Sequence, residues 1–370
     1  MQALTHQSRM RGFSLIELMV ALAISLLLLM GVVALFISSR ASYETTERLS
    51  RIQENGRFAL DQLTDDMRVA GFNGCARGAT TPARNEDFRI NVVAGGGADL
   101  RWNFLVPAQG FNGTGSAWAP ALDTTNLLPA PSPTGDVLIL RIPRRDARAL
   151  QLTAKQTNPT DPLTVGVIAP APLEAGDIAM ISDCTGRAFF QVTGYAGGQI
   201  QHAVGGGTSS AAEVTPGNLE NLTGANSLLH PFMAGAEIVP VVTMIYYLAP
   251  SDGDATRMSL WRKTAGMVRS DEIAEGIERL ELLFGIDSTS PRDGRADTYV
   301  PANLVTDWGA VMTAQVALLA RSPDAYGTDV DNQVYTLFPA PNLVQTVPAG
   351  DRHQRKIFTA TVAVRNQIID

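Results

Sequence analysis

The side chain with the clearest chemical demand is Glu17, a carboxylate a few residues inside a segment that is otherwise apolar to Ile37. An ionised side chain within hydrocarbon costs roughly 2.5–3.5 kcal/mol on translocon-insertion scales, so such a residue usually has a partner. Two interpretations follow. The segment is an uncleaved signal anchor with a stray acid, or the chain is cut after Gly12 and its new amino terminus and Glu17 guide packing among other helices.

The residue types that most often perform catalysis are poorly placed for it. The four histidines stand in loops, at a strand start or near the N-terminus, without metal-ligand spacing: His6, His202, His230 and His353. The sequence contains neither a Gly-x-Ser-x-Gly nucleophile elbow nor a His-Glu-x-x-His zinc motif. We therefore predict that the protein is not an enzyme and uses no cofactor.

Three aspartates lie in an oxygen-rich loop between two predicted strands: Asp287, Asp293 and Asp297. Loops of this kind can bind calcium through carboxylate oxygens. The spacing does not match an EF-hand, and Arg292 and Arg295 reduce the negative charge of the loop. We favour a solvated loop and no metal, with a calcium site as the alternative.

The element that carries Glu17 has the length and composition of a membrane-spanning helix. It runs from Phe13 to about Ile37 without a proline, and a helix of about 20 residues already spans the hydrocarbon core. Leu, Ala, Met and Ile dominate it, which favours a helix. Arg9 and Arg11 precede it with no equal basic cluster close behind, so the positive-inside rule places the leader in the cytoplasm and the body outside the membrane.

The following residues predict that this helix continues beyond the membrane. Residues 41–70 keep an apolar stripe at spacings of three and four: Leu49, Ile52, Gly56, Leu60, Leu63, Met67 and Ala70. The opposite face carries Glu44, Glu47, Arg48, Arg51, Asp61, Asp65 and Asp66. These spacings predict one amphipathic helix that ends at Gly71. A short coiled-coil stalk is the alternative.

The two cysteines, Cys75 and Cys184, lie in the part of the chain that the orientation places outside the membrane. Thiols in an oxidising compartment tend to pair, so we predict a disulfide between them. It would close a loop of roughly 100 residues, worth about 4–5 kcal/mol in the chain-entropy model. The alternative is two separate buried thiols; without nearby histidines the pair makes a poor zinc site.

The rest of the chain has the composition of a β-rich globular body. Of 370 residues, 18% are charged and 45% apolar, which excludes a disordered chain. The 33 glycines and 21 prolines indicate many turns. The net charge is −7 and becomes −9 when Arg9 and Arg11 are removed with the leader. The sequence contains no long basic patch. Nucleic-acid binding by the body is therefore not expected.

Alternating and β-branched segments predict a series of strands, separated by loop-rich regions at 76–133 and 204–231. The segments are 136–142, 149–153, 163–168, 177–182, 187–193, 238–248, 257–262, 277–286, 311–320 and 356–365. The turn at 251–254 predicts a hairpin between two of them. The expected fold class is α+β, with one long N-terminal helix packed on a mainly antiparallel sheet.

The N-terminal stretch from Arg11 to Glu17 resembles the class III signal of type IV prepilins and of type II secretion pseudopilins. In that family a membrane peptidase cuts after the glycine and methylates the new terminal phenylalanine. The resemblance implies a cut between Gly12 and Phe13, and methylation of Phe13. It also implies that Glu17, the fifth mature residue, neutralises the terminal amine of a neighbouring subunit during assembly.

A second resemblance extends along the chain. Residues 53–59 and 66–75 are similar to the PilW group of minor pilins, in which such a stretch closes the helix and leads into a cysteine. Later pieces that also look like that group are 134–138, 182–184, 260–262 and 361–366. The resemblance implies a leader at 1–12, a transmembrane and assembly helix at 13–37, its amphipathic continuation at 38–71, and a globular head at 72–370.

These resemblances imply a minor pilin that takes part in type IV pilus assembly. Because a large head fits poorly in a densely repeated subunit, a tip or initiation complex with other minor pilins is expected. The implied partners are those minor pilins, the major pilin, the prepilin peptidase, the inner-membrane assembly platform and membrane lipid. The implied location is the inner membrane with a periplasmic head, and then the pilus on the cell surface.

Two alternatives remain at this point. A minor pseudopilin of the J type from type II secretion would share the leader, the helix and the β head. A plain single-pass membrane-anchored receptor would share the orientation and the span, but would keep its leader and have no need of Glu17.

Overall fold

The computed structural model describes residues 12, 14–72, 74, 88–90, 99–104, 106–206, 216–221, 223–228, 230–325, 330–340, 344–346 and 350–364. A long helix, α1 (Leu15–Val69), precedes a body of β-strands. The strands are β1 (Phe88–Ile90), β2 (Ala108–Gly113), β3 (Trp118–Ala119), β4 (Val137–Pro143), β5 (Leu150–Gln151), β6 (Leu163–Thr164), β7 (Ile178–Asp183), β8 (Gly186–Gln191), β9 (Gly194–Ala196), β10 (Gln199–Gln201), β11 (Glu237–Pro250), β12 (Met258–Thr264), β13 (Asp271–Glu275), β14 (Ile277–Ile286), β15 (Thr298–Val300), β16 (Val311–Arg321), β17 (Tyr335–Phe338), β18 (Val344–Thr346) and β19 (Arg355–Ala363).

The chain divides into two compact units, Met1–Arg51 and Ile52–Asp370. The first unit contains the apolar part of α1, and the second contains the last turns of α1 and the sheets. The helix ends as predicted, because Gly71 follows it with a positive φ of 71°, a conformation that favours glycine. The predicted division of the chain into a leader, a membrane-spanning part, its continuation and a head, with boundaries at 12, 37 and 71, stays a prediction.

The largest sheet is organised around β11, a strand of 14 residues rich in Val, Ile and Tyr. Its order is β1-β8-β7-β11-β4-β2-β3, and β12, β13 and β5 attach beside this path. The first half of β11 pairs with β7 and the second half with β12, while β4 lies along its middle. Because β11 has neighbours almost throughout, nearly all of its side chains are buried.

A second sheet has the order β15-β14-β16-β19. Its inner strands, β14 and β16, pair antiparallel with two register shifts, whereas β16 and β19 pair without a break. One face contributes to the main hydrophobic core together with β4, β11 and the last turns of α1. The β17–β18 hairpin packs near the other face.

The predicted fold class is confirmed, and so is most of the strand series. The predicted segments at 136–142, 177–182, 238–248 and 311–320 each overlap a strand of similar length, and 277–286 matches β14. The hairpin across 251–254 is formed by β11 and β12. All described strand pairs are antiparallel except β1 with β8.

Two strand predictions are too long, since 149–153 and 163–168 each contain only a two-residue strand. β5 pairs with β11, and β6 pairs with β10 in a three-stranded sheet. The apolar composition of the two segments therefore reflects burial in the core and not a long paired strand. The acidic strand β13, Asp-Glu-Ile-Ala-Glu, was not predicted because charged residues are uncommon in strands. It pairs with β12 at the sheet margin.

Candidate assembly segment

The helix α1 begins with a reciprocal hydrogen-bonded cap. The backbone N–H of Glu17 donates to Ser14 Oγ at 3.2 Å, and the backbone N–H of Ser14 donates to Glu17 Oε2 at 3.3 Å. This is a capping box, in which a serine and a glutamate three residues later satisfy two N–H groups at the start of a helix. Sequence analysis missed it, although the Ser-x-x-Glu spacing is its signal.

The predicted processing site lies directly before this cap. Gly12 and Ser14 are exposed, and no atom of the other described residues lies within 4 Å of the position that a Cβ on Gly12 would take. Phe13 and residues 1–11 lie outside the described residues. Cleavage between Gly12 and Phe13, methylation of Phe13 and an assembly role of Glu17 therefore stay predictions.

The segment after the cap exposes its apolar side chains along its length. Leu15 is 78% exposed and Ile37 is 62% exposed, with similar values between them. The helix contains an 18-residue window of mean hydropathy 3.0, none of it buried. It is long and apolar enough to cross a membrane, and together with the signal before it this indicates membrane anchoring.

Beyond the apolar segment, ion pairs on the helix surface support α1. Arg40 pairs with Glu44 at 3.0 Å, and Arg51 pairs with Glu47 at 2.8 Å, each four residues apart. Pairs of this type stabilise a helix by about 0.2–0.5 kcal/mol each. These ion pairs stabilise the helix in the turns beyond the apolar segment, where most side chains are exposed.

The last turns of α1 pack on the sheets through the predicted stripe. Ile52, Gly56, Leu63 and Met67 are buried, and a Cβ on Gly56 would overlap the ring of Phe358 on β19. Glycine at this position therefore permits close approach of helix and strand. The prediction was wrong for Leu49, which is 40% exposed.

Asp66 is the second correction to the helix, because it was placed on the exposed face but is 1% exposed. Its carboxylate accepts a hydrogen bond of 2.5 Å from the hydroxyl of Tyr246 on β11, and pairs with Arg145 at 2.6 Å. Burial and the neighbouring Asp66 carboxylate raise the pKa of Tyr246 above its usual range. The end of α1 is packed on more sides than an amphipathic stripe predicts.

Cys184 lies in the tight turn between β7 and β8 and is exposed. Cys75 lies outside the described residues. Gly74, the residue before it, approaches β7 closely: a Cβ on Gly74 would lie 2.7 Å from Ser182 Oγ. The chain segment before Cys75 therefore reaches the strand that leads into Cys184, and the disulfide stays a prediction.

The three loop aspartates use their carboxylates to organise the loop itself. Asp287 accepts from the backbone N–H of Thr289 and from that of Gly294, at 3.1 and 2.7 Å. Asp297 accepts from both the backbone and the hydroxyl of Ser288 at 2.8 Å. Among the described residues, no group of three His, Cys, Asp or Glu side chains is arranged to hold a metal ion.

Two carboxyl groups, the buried Asp136 and the half-buried Glu281, lie where the two large sheets meet. Asp136 accepts hydrogen bonds from the backbone N–H groups of Gly113 on β2 and Leu282 on β14, both at 2.8 Å, and from the side chain of Asn112. Burial raises the pKa of Asp136 to about 7. Burial, and then the Asp136 charge, raise the pKa of Glu281 to about 8.

Two family models match the chain. Residues 7–33 match the Prokaryotic N-terminal methylation motif, and residues 245–366 match PilW, the Type IV Pilus-assembly protein W. No curated protein and no solved structure matches the chain. The second match begins within β11 and includes all of β12 to β19. The first resemblance is thereby confirmed, and the second is confirmed over residues 245–366. The pieces at 53–59, 66–75, 134–138 and 182–184 lie outside the PilW match and stay predictions.

Proposed function

We propose that this chain, a type IV pilus-related pilin by its prepilin signal and its PilW match, is a minor pilin that takes part in pilus assembly. The observation that carries the proposal is the combination of the methylation motif with an exposed apolar helix and the PilW-type strands. Its role is structural rather than enzymatic. The chain acts by packing with other subunits.

The size of the head supports a place in a tip or initiation complex. The unit Ile52–Asp370 contains two large sheets and additional short strands. A subunit of this bulk is difficult to repeat densely along a filament, whereas a complex of a few subunits can accommodate it. The partners we propose are other minor pilins, the major pilin, the prepilin peptidase, the assembly platform and membrane lipid.

The location follows from the proposed processing. The uncut chain sits in the inner membrane with its head in the periplasm. After cleavage between Gly12 and Phe13, the helix leaves the bilayer and enters the pilus, which carries the head to the cell surface. The apolar and exposed side chains from Leu15 to Ile37 suit both a lipid environment and a packed helical core.

Glu17 directs this packing in the proposed mechanism. The Phe13 amine of a neighbouring subunit lies beside the Glu17 carboxylate, within a core where an unpaired charge is strongly penalised. Among the described residues of the single chain, the carboxylate accepts its hydrogen bond from the backbone N–H of Ser14. The capping box requires a hydrogen-bond acceptor at residue 17, whereas the intermolecular ion pair requires a negative charge there. A substitution can therefore separate the two roles.

The substitution Glu17→Gln tests the charge, because glutamine still accepts the capping hydrogen bond but carries no charge. We expect a loss of at least tenfold in the amount of the chain in sheared surface fibres, with membrane insertion unchanged. The control is Ser14→Ala, which removes the hydroxyl side of the cap and keeps the charge. Equal recovery of Glu17→Gln and the parent in fibres would contradict the mechanism.

Mass spectrometry of N-terminal peptides from fibres and membranes tests the function itself. A peptide that begins at N-methylated Phe13 in fibres supports a minor pilin. The second candidate is a J-type pseudopilin, which the shared methylation motif also fits. The same processed peptide in membranes alone would favour it. An intact leader in every fraction would contradict both and leave a membrane-anchored receptor.

A further inference from the structure

Along the outer edge of β19, backbone N–H and C=O groups point away from its partner strand β16. In the unbroken register with β16, Ser322 N–H donates to Gln354 O and Val364 N–H donates to Met312 O. Even-numbered residues of β19 therefore direct their backbone groups towards β16, and odd-numbered ones direct theirs outwards. The outward set is Ile357, Thr359, Thr361 and Ala363. Among the described strands, β19 pairs with β16 alone and ends the sheet, so this outward set has no strand beside it.

Apart from the exposed Lys356 at its start, this edge lacks the features that usually protect an edge strand. Protected edges are short, charged, bulged or interrupted by proline. Residues 357–363 read Ile-Phe-Thr-Ala-Thr-Val-Ala, without a charge or a proline, and the pairing with β16 has no bulge. By contrast, the outer strands β3 and β15 contain only two and three residues, and β13 carries three acids.

The strand is also held rigidly in place. Arg355 at its start is buried and pairs with Glu278 at 2.6 Å, Asp331 at 3.0 Å and Asp351 at 2.7 Å. On one face Phe358 lies against Gly56 of α1, and on the other the side chain of Ile357 packs with the β17–β18 hairpin. Because the strand is fixed on both faces, its edge can bind a partner without losing further conformational freedom.

A groove of about 290 Å³ lies between the end of β17 and the part of β16 and β19 that includes the outward residues Thr359 and Thr361. It is lined by Gln315, Leu337, Phe338, Pro339, Thr359, Ala360 and Thr361. A strand added at a sheet edge gains affinity from main-chain hydrogen bonds and specificity from pockets that receive every second side chain. The apolar lining residues of this groove, Leu337, Phe338 and Pro339, suit an apolar side chain.

We propose that the outer edge of β19 binds an extended, uncharged segment of another pilus subunit as an added β-strand, with an apolar side chain in the groove. The inference rests on the proposed function, which supplies the neighbouring subunits. The uncharged edge fits an uncharged strand. A second copy of this chain is disfavoured because both copies carry the same net negative charge.

The substitution Thr359→Pro tests the edge, because it removes an outward N–H that the fold does not use. Thr359→Val is the matched control, since it keeps that N–H and the shape of the side chain. We expect Thr359→Pro to reduce incorporation into sheared fibres at least tenfold, with Thr359→Val unchanged. Thr361→Lys keeps the backbone N–H and adds a charge to the edge strand. We expect it to reduce incorporation into fibres as Thr359→Pro does. The melting temperature of the full chain in detergent should stay unchanged.

A photo-crosslinking residue at position 361 of the full chain identifies the occupant in cells. A crosslink to a different pilin, lost with Thr359→Pro, supports the proposal. A crosslink between two copies of this chain overturns it in favour of a homodimer. Normal incorporation of both Thr359→Pro and Thr361→Lys also overturns it. The proposed function fails separately, if the unsubstituted chain is absent from fibres.

Discussion

At the scale of a residue, Asp66 joins the end of the helix to the largest sheet. Its buried carboxylate contacts Tyr246 in the centre of that sheet and Arg145 in the loop after β4. A buried carboxylate is tolerated only when such partners satisfy it. Asp66 therefore fixes where the last turn of α1 rests.

We expect Asp66→Ala to lower the free energy of unfolding by about 2–3 kcal/mol, because it leaves the Tyr246 hydroxyl buried without its acceptor. The control is Asp65→Ala, which removes an exposed carboxylate that forms a surface ion pair with Arg68 and should cost less than about 0.5 kcal/mol. Denaturant unfolding of the full chain in detergent measures both. Similar losses in the two variants would show that the buried contacts contribute little.

The sequence could not reveal this site because its three members are distant along the chain. Helical periodicity gave the correct face for Ile52, Gly56 and Met67, whose burial depends on spacing alone. The same periodicity assigned Asp66 to solvent, since only the position of Tyr246 explains its burial. The capping box is different: both its residues are close in sequence, and the spacing alone would have revealed it.

At the scale of elements, we propose that a Cys75–Cys184 disulfide fastens the segment after α1 to the β7–β8 turn. The contact between Gly74 and Ser182 supports it, because it brings the chain before Cys75 to the strand before Cys184. A disulfide requires Cα atoms within about 7 Å of each other. Gly74 and Ser182 lie close to the two cysteines in sequence, and their contact is the observation that supports the proposed bond.

We expect non-reducing peptide maps of the exported protein to contain a linked Cys75–Cys184 peptide. Cys184→Ser should then lower the free energy of unfolding by about 2–4 kcal/mol, since the unfolded chain regains the freedom of a long loop. Reduction of the parent should have the same effect, and reduction of Cys184→Ser should have none. Alkylation of both cysteines without reductant would exclude the bond.

Strands were predictable where hydrophobic pattern and length agreed, as in β11, β14 and β16. They were not predictable where a strand depends on a neighbour. The acidic β13 is extended because β12 offers it a free edge, and this pairing leaves no trace in local composition. The parallel pairing of β1 with β8 likewise depends on the path of the chain between them.

At the scale of the whole molecule, Asp136 and Glu281 make the junction of the two large sheets sensitive to pH. Burial raises the pKa of each carboxyl group, to about 7 and about 8, above its unfolded value. The stabilisation that these protonated groups provide is complete at pH values below the pKa values that the two groups have in the unfolded chain. It is lost as the pH rises through 7 and 8.

We therefore expect the free energy of unfolding to fall between pH 5 and 8, by at most about 1.4 kcal/mol per pH unit for each proton released. Glu281→Gln keeps the size of the side chain and removes one titrating group, so its slope should be shallower. Denaturant unfolding of both proteins across this range gives the comparison. Parallel slopes for the two would contradict a role of the pair.

The long central strand has a consequence for the order in which the protein is completed. Synthesis proceeds from the N-terminus, so β4 and β7 are made well before their shared partner β11. Until residue 246 has been made, these two strands lack part of the pairing that buries them. Contacts so distant in sequence form slowly. We therefore expect the strands to be most vulnerable to proteases and aggregation while the chain is still incomplete.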